Sequence, residues 1–182
     1  RILQRMQNQP QGGATGDYVG WACEVSGIVQ AHVKRSGDAI FCYPLASLTG
    51  AARIPTVAKI TEVQDYLQDP IRRPLAATVY AYAASERTVD FTITGLSPND
   101  DATKAAILAD LTAYIYSRYP KQFSDEAAPT CVISIGDAWR IVSANGALAT
   151  AIVMAVSGIG SGVTNYTLPI GEIAKIGSVT WA

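Results

Sequence analysis

The sequence contains no unbroken apolar run of about eighteen residues, the length a helix needs to cross a bilayer. Its opening, "RILQRMQNQP", also lacks the apolar stretch of a secretory signal. Both absences predict a soluble chain that is not exported by an N-terminal signal. Cysteine is scarce: Cys23, Cys42 and Cys131 are odd in number and far apart, which argues against a disulfide framework and fits a reducing, cytoplasmic origin. Charged residues make up only 16% of the chain, with a net charge of −1. No group of Lys and Arg is larger than Arg72-Arg73, so the basic stripe that neutralises a phosphate backbone is missing and nucleic acid is not an expected partner.

The same scarcity thins out chemistry. A zinc site could draw on Cys23, Cys42, Cys131 and His32, yet none of the pairs has the short C-x2-4-C or H-x3-5-H spacing that preforms most structural sites. A Cys-His nucleophile pair has one histidine to use, and strand alternation puts His32 on the polar face of a hairpin, at solvent or at a contact. In "GDYVGWACEV", Asp17, Cys23 and Glu24 sit beside Tyr18 and Trp21 with no histidine near in sequence. The glycines of "GIGSG", residues 158 to 162, precede "VTNYTLP", which is extended and contains Pro169; a phosphate cradle needs a helix there, so a hairpin or bulged loop is the reading. Asp100-Asp101 reads as a helix cap and Asp90 as a solvated strand position. No catalytic, cofactor-binding or metal-binding residue is therefore assigned.

What remains is ample apolar material, 49% of 182 residues, enough for one core or two small ones. Tyr18, Trp21, Ala22 and Val25 share one face of a helix predicted from Thr15 to Val25, with Thr15 or Asp17 as its cap. Val29, Ala31 and Val33 then alternate with Gln30, His32 and Lys34, and Ser36-Gly37-Asp38 turns into a second strand. The spacing predicts a helix in "PTVAKITEVQDYLQDP" with Val57, Ile60, Val63 and Leu67 inward, started by Pro55-Thr56 and ended by Asp69-Pro70. A strand in "RRPLAATVYAYAAS" sets Val79, Ala81 and Ala83 against Tyr80 and Tyr82.

A second pattern begins near Arg87. Val89, Phe91 and Ile93 alternate with Asp90, Thr92 and Thr94. A helix follows, from near Asn99-Asp100-Asp101 to Tyr119, with Leu108, Leu111 and Ile115 inward and Pro120 as its stop. After a loop to about Thr130, Ser134 and Asp137 form a capping-box pattern, and Asn145-Gly146 closes the shorter helix. The final third reads as two strands separated by a Gly-rich loop, the last ending at Trp181. Strands grouped with helices, without strict alternation, predict an α+β fold: two small α/β sandwich modules, each a mixed or antiparallel sheet packed with helices. The polar "SER" at Ser85 marks the boundary, giving modules at 14–86 and 87–182 after a linker at 1–13.

The order of four blocks carries a resemblance. "QNQPQGGATGDYVGWACEVSGIVQAHV", "PTVAKITEVQDYLQDPIRRPLAATVYAYAA", "TVDFTITGLSPNDDATKAAILADL" and "GEIAKIGSVTW" together resemble the C-terminal part of the phage baseplate J-like family, the Mu-type baseplate assembly proteins of contractile tails. The resemblance runs from about Gln9 to Trp181; residues 123 to 170 match it poorly. It implies a missing upstream portion, consistent with a chain that starts at Arg1 without Met, and names the modules as the family's middle and C-terminal domains. It also implies a structural role in the virion tail baseplate of a phage, prophage or tail-like particle. Such a part is not an enzyme and needs no cofactor; it is assembled in the bacterial host cytoplasm and contacts other wedge and hub proteins and copies of itself, with neither nucleic acid nor membrane as partner. The alternative is a carbohydrate- or peptide-binding module of a tail-like secretion or injection machine, with its aromatic strand face as the platform. The contact candidates are Tyr43, Tyr80, Tyr82, Tyr116, Tyr119 and Trp181.

Overall fold

A computed structural model describes residues 13–50, 52–70, 78–119 and 131–182. The chain forms two compact units: the first runs to Ser85 and takes in Pro169–Gly171, and the second is built from Glu86–Tyr119, the chain from Cys131 to Leu168, and Glu172–Ala182. Each has its own apolar core. The architecture is α+β. Among the described residues no helix is long and apolar enough to cross a membrane.

The first unit opens with helix α1 (Thr15–Ala22). Asp17 caps it from its third position, accepting the backbone N–H groups of Gly13 and Ala14 at 2.9 and 3.2 Å. Strands β1 (Gln30–Ser36) and β2 (Ala39–Leu45) then pair antiparallel. Their loop is Gly37-Asp38, with Gly37 at φ 60°, where a side chain would be strained and where a two-residue hairpin needs a positive φ. Helix α2 (Val57–Gln68) starts at Thr56, whose hydroxyl accepts Lys59 N–H, and ends at Asp69, an extended residue held so by Pro70. It forms the crossover to β3 (Thr78–Ala81), which pairs parallel with β2 and completes a sheet in the order β1-β2-β3.

Tyr18, Ala22 and Val25 from the N-terminal region pack with Val63 and Leu67 of α2 against Ala31, Val33, Ile40, Cys42 and Val79 of the sheet. Several details depart from the sequence expectation. Helix α1 stops at Ala22, and Val25 reaches the core from the turn after it. Tyr18 is fully buried whereas Trp21 is half-buried, edge-on to it at 5.1 Å. Val57 is 81% exposed, because the first residue of α2 projects beyond the sheet that the next turns cover. Val29 is exposed because it precedes β1, and Ala83 because β3 has already ended at Ala81. The early part of the predicted strand, at 72–77, lies outside the described residues.

The second unit centres on β4 (Ser85–Thr94), whose Val89, Phe91 and Ile93 are buried as their alternation requires. It lies between β6 (Ala151–Val156), paired antiparallel, and β9 (Glu172–Trp181) in a sheet ordered β7-β6-β4-β9, with β7 (Gly160–Ser161) at one edge. Along β4 and β9 the contacts ascend together, Ser178 meeting Asp90 and Ala182 meeting Ile93, as in a parallel pair. A separate pair joins β5 (Cys131–Ser134) to β8 (Asn165–Leu168).

Two helices cover one face of the larger sheet. Helix α3 (Asp101–Ser117) is capped by Asp100, which accepts Thr103 N–H at 2.8 Å, and α4 (Ile135–Ala144) by Ser134, which accepts Gly136 N–H. Gly146, at φ 69°, closes α4. The inward stripe of α3 is Ile107, Leu111 and Ile115; Leu108 is exposed, since a strict i, i+4, i+8 row rotates it off the buried seam. Pro120 and the loop to Thr130 lie outside the described residues. The final third holds four strands in place of two, because the Gly-rich loop is itself a hairpin into β7 and β8 is a separate short strand.

Candidate interaction surface

The outer face of the β1-β2-β3 sheet follows from alternation alone. With Ile40, Cys42 and Val79 turned to the core, Phe41, Tyr43 and Tyr80 must point the other way. Parallel register sets Phe41 against Tyr80, and the two rings stack at 5.7 Å with their planes 21° apart. Tyr82, just past β3, stacks on both at 6.2 and 6.1 Å, and Tyr43 adjoins it at 6.4 Å. Tyr80 and Tyr82 are 38% and 47% exposed. Lys34 lies opposite Phe41 on β1 and is exposed. The result is an open floor of three near-parallel rings, of the kind that packs well against a flat apolar partner.

The other end of this face is covered. His32 sits opposite Tyr43, on the side that alternation predicts, but it is only 3% exposed, which corrects the expectation of a solvent or contact histidine. The chain doubles back there: Ala46 N–H donates to the Arg53 carbonyl at 2.8 Å, and the Arg53 side chain is fully buried. Burial, and then the Arg53 cation, lower the His32 pKa to about 4 and keep the imidazole neutral at pH 7. Gly171 presses on Tyr43 so closely that a Cβ there would sit 2.9 Å from the ring. Burial, with Tyr82 and Cys42 adding to it, raises the Tyr43 phenol.

The remaining reactive side chains are engaged structurally. Cys42 lies in the first core, and burial together with Cys23 pushes its thiol up to about 12, so no thiolate forms near neutrality. Cys131 belongs to the second unit, and none of the three cysteines is in a disulfide. Among the described residues no group of three or more His, Cys, Asp or Glu is placed to hold a metal ion. In the GIGSG turn no helix follows the glycines. Asp100 is held below the usual carboxylate range by the backbone and hydroxyl of Thr103, and Asp90 accepts the N–H and hydroxyl of Ser178.

The second unit has two polar clamps that sequence reasoning did not anticipate. A groove of about 450 Å³ between α3 and α4 contains Tyr114, Asp137 and Arg140. Asp137 accepts the Tyr114 hydroxyl at 2.6 Å and the guanidinium groups of Arg118 and Arg140. Burial works to raise the Asp137 carboxyl; the Tyr114 bond and the two cations outweigh it and hold the carboxyl low. Glu172 likewise receives Arg87 at 2.6 Å and the Tyr166 hydroxyl, tying β4, β8 and β9. Each carboxylate is neutralised by its neighbours, an arrangement that locks elements together.

Of the six aromatic contact candidates, Tyr80 and Tyr82 are exposed on one surface, with Tyr43 at its covered margin. Tyr116 and Tyr119 are half-buried, and Trp181 packs against the second core.

Comparison with known proteins bears on the whole chain. The family model described as the Baseplate J-like central domain matches residues 10–83. JayE of Escherichia coli (strain K12) is 29% identical over all of this chain and 64% of its own length. The Mu-like prophage FluMu protein gp47 of Haemophilus influenzae is 28% identical over 63% of this chain and 35% of its own. The chain thus spans less than two thirds of these curated relatives. A chain in the cryo-EM structure of the anti-feeding prophage baseplate shares the fold over 94% of this chain and 39% of its own, with a TM-score of 0.59 at 8% identity. A central-domain match over residues 10–83, a prophage relative and a fold shared across both units together make the chain similar to the baseplate J-like proteins.

Proposed function

We propose that this chain is a structural component of a contractile phage tail baseplate and acts through protein–protein contacts without catalysis. The observation that carries the reading is the fold shared with the prophage baseplate chain over 94% of these residues. The second unit, by this reading, is the family's C-terminal domain. The partners are wedge and hub proteins and copies of the chain itself, joined during assembly in the bacterial host cytoplasm. The open floor of Phe41, Tyr80 and Tyr82 is the contact surface, since exposed aromatics supply most binding energy per residue.

The test is reconstitution with the neighbouring tail proteins of the same prophage, followed by sedimentation. Y80A/Y82A should weaken association at least tenfold, about 1.4 kcal/mol or more, while leaving the thermal melt within about two degrees. Association unaffected by the double substitution would remove the aromatic floor from the contact, and no association of the parent chain with any neighbour would sink the structural reading.

A second reading, a carbohydrate- or peptide-binding module, is favoured by the near-parallel set of those rings, which suits a flat saccharide face. Tyrosine fluorescence and ring-proton shifts that respond to a saccharide panel in the parent chain, but not in Y80A/Y82A, would select it.

A further inference from the structure

The sheet of the first unit ends at β3, and among the described residues no strand lies beyond it. An uncovered edge strand exposes alternate N–H and C=O groups to any strand that passes. Here two of the outward groups, the Val79 carbonyl and the Ala81 N–H, are engaged by helix α2. The side-chain amide of Gln64 donates through Nε2 to the Val79 carbonyl at 2.8 Å and accepts the Ala81 N–H through Oε1. Gln68 donates a second bond to the same Val79 carbonyl at 3.1 Å.

The pattern is specific. In a parallel ladder, one residue of the neighbouring strand donates its N–H to the carbonyl of residue i−1 and accepts the N–H of residue i+1. With Val79 and Ala81 flanking Tyr80, Gln64 makes this pair of bonds with one carboxamide. The amide orientation is determined as well, because a flipped group would set NH2 against N–H and oxygen against oxygen. Both contacts are partly buried, which makes them costly to leave unmade.

We infer that Gln64, seconded by Gln68, is a stand-in for a fourth strand: a plug that closes the β3 edge against pairing with β3 of a second copy of this chain. Every copy carries the same edge, so two unplugged copies would meet as like to like, the self-complementary contact a two-fold dimer requires. The plug sits on α2, the crossover between β2 and β3, so the element that creates the parallel edge also closes it.

The test uses the full chain and amide hydrogen exchange. In Q64A/Q68A the Ala81 amide should exchange at least about tenfold faster than in the parent, with the β1-β2 amides unchanged, and sedimentation should show added concentration-dependent self-association. Q64M/Q68M guards against a merely unfolded variant: it keeps side-chain length and helix propensity at both positions without a donor or acceptor, so the thermal melt should stay within a few degrees of the parent while Ala81 exchange and self-association follow the alanine variant. The inference is overturned if Ala81 exchange is the same in the parent and in both double variants, or if self-association does not rise. None of these readouts depends on binding a tail protein.

Discussion

Tyr18 brings α1 onto the first core with its whole ring inside, whereas Trp21, three residues on, keeps one side in solvent. Tyr18→Ala is therefore expected to cost roughly 3 to 5 kcal/mol, the range for deleting a large buried aromatic, and Trp21→Ala distinctly less. Urea denaturation of the two variants decides the order. His32 yields a pH prediction with a definite sign. Its folded pKa of about 4 lies below the ordinary 6.5, so between these values the unfolded chain binds more protons. Its contribution is complete above pH 6.5, falls as the pH drops through the window, and amounts to about 3 kcal/mol once lost. Stability measured from about pH 4 to 7 should lose that part of its slope in His32→Phe; an identical slope would refute the assignment. His32 also shows what one strand can reveal. Alternation correctly gives the face a residue occupies, but the cover over that face comes from Arg53, twenty-one positions later, with no local signal.

At the level of elements, the helix starts were the most legible features, because a cap is a local interaction between a side chain and the next turn. Asp100, Ser134 and Thr56 all accept the backbone N–H expected of them. Asp100→Ala should lower the melting temperature, and Asp100→Asn by less, since an amide oxygen still accepts from Thr103; differential scanning calorimetry of both variants separates cap from charge. Inner faces were readable to within one position: Ile107 in place of Leu108, and Val57 lost at a helix end. Strands of two to four residues, such as β7 and β8, carry too little periodicity to be read. Nor does a single chain reveal that β3 crosses over to lie parallel to β2, which is the pairing that assembles the aromatic floor.

For the whole molecule, the absence of charged patches has kinetic content. With a net charge of −1 and both signs interspersed, no long-range field steers encounter, so association through the aromatic floor should change its on-rate less than about threefold between 50 and 500 mM salt. A steep salt dependence measured by stopped flow would point to a charged contact instead. The family resemblance was visible in the order of four blocks, though the family model recognises residues 10–83 alone. The likeness to the anti-feeding prophage baseplate chain, which extends over both units, lives in the backbone at 8% identity. A fold needs only a period and a volume at each core position, and many sequences supply both.

Three rings held within 21° of parallel, at separations of 5.7 to 6.2 Å, also form an optical object. Their transition dipoles lie close enough to couple, so the floor should imprint its own signature on the near-ultraviolet circular dichroism of the native chain. That signature is an intrinsic gauge. Light alone, without a label, can report the moment another surface settles on Tyr80 and Tyr82.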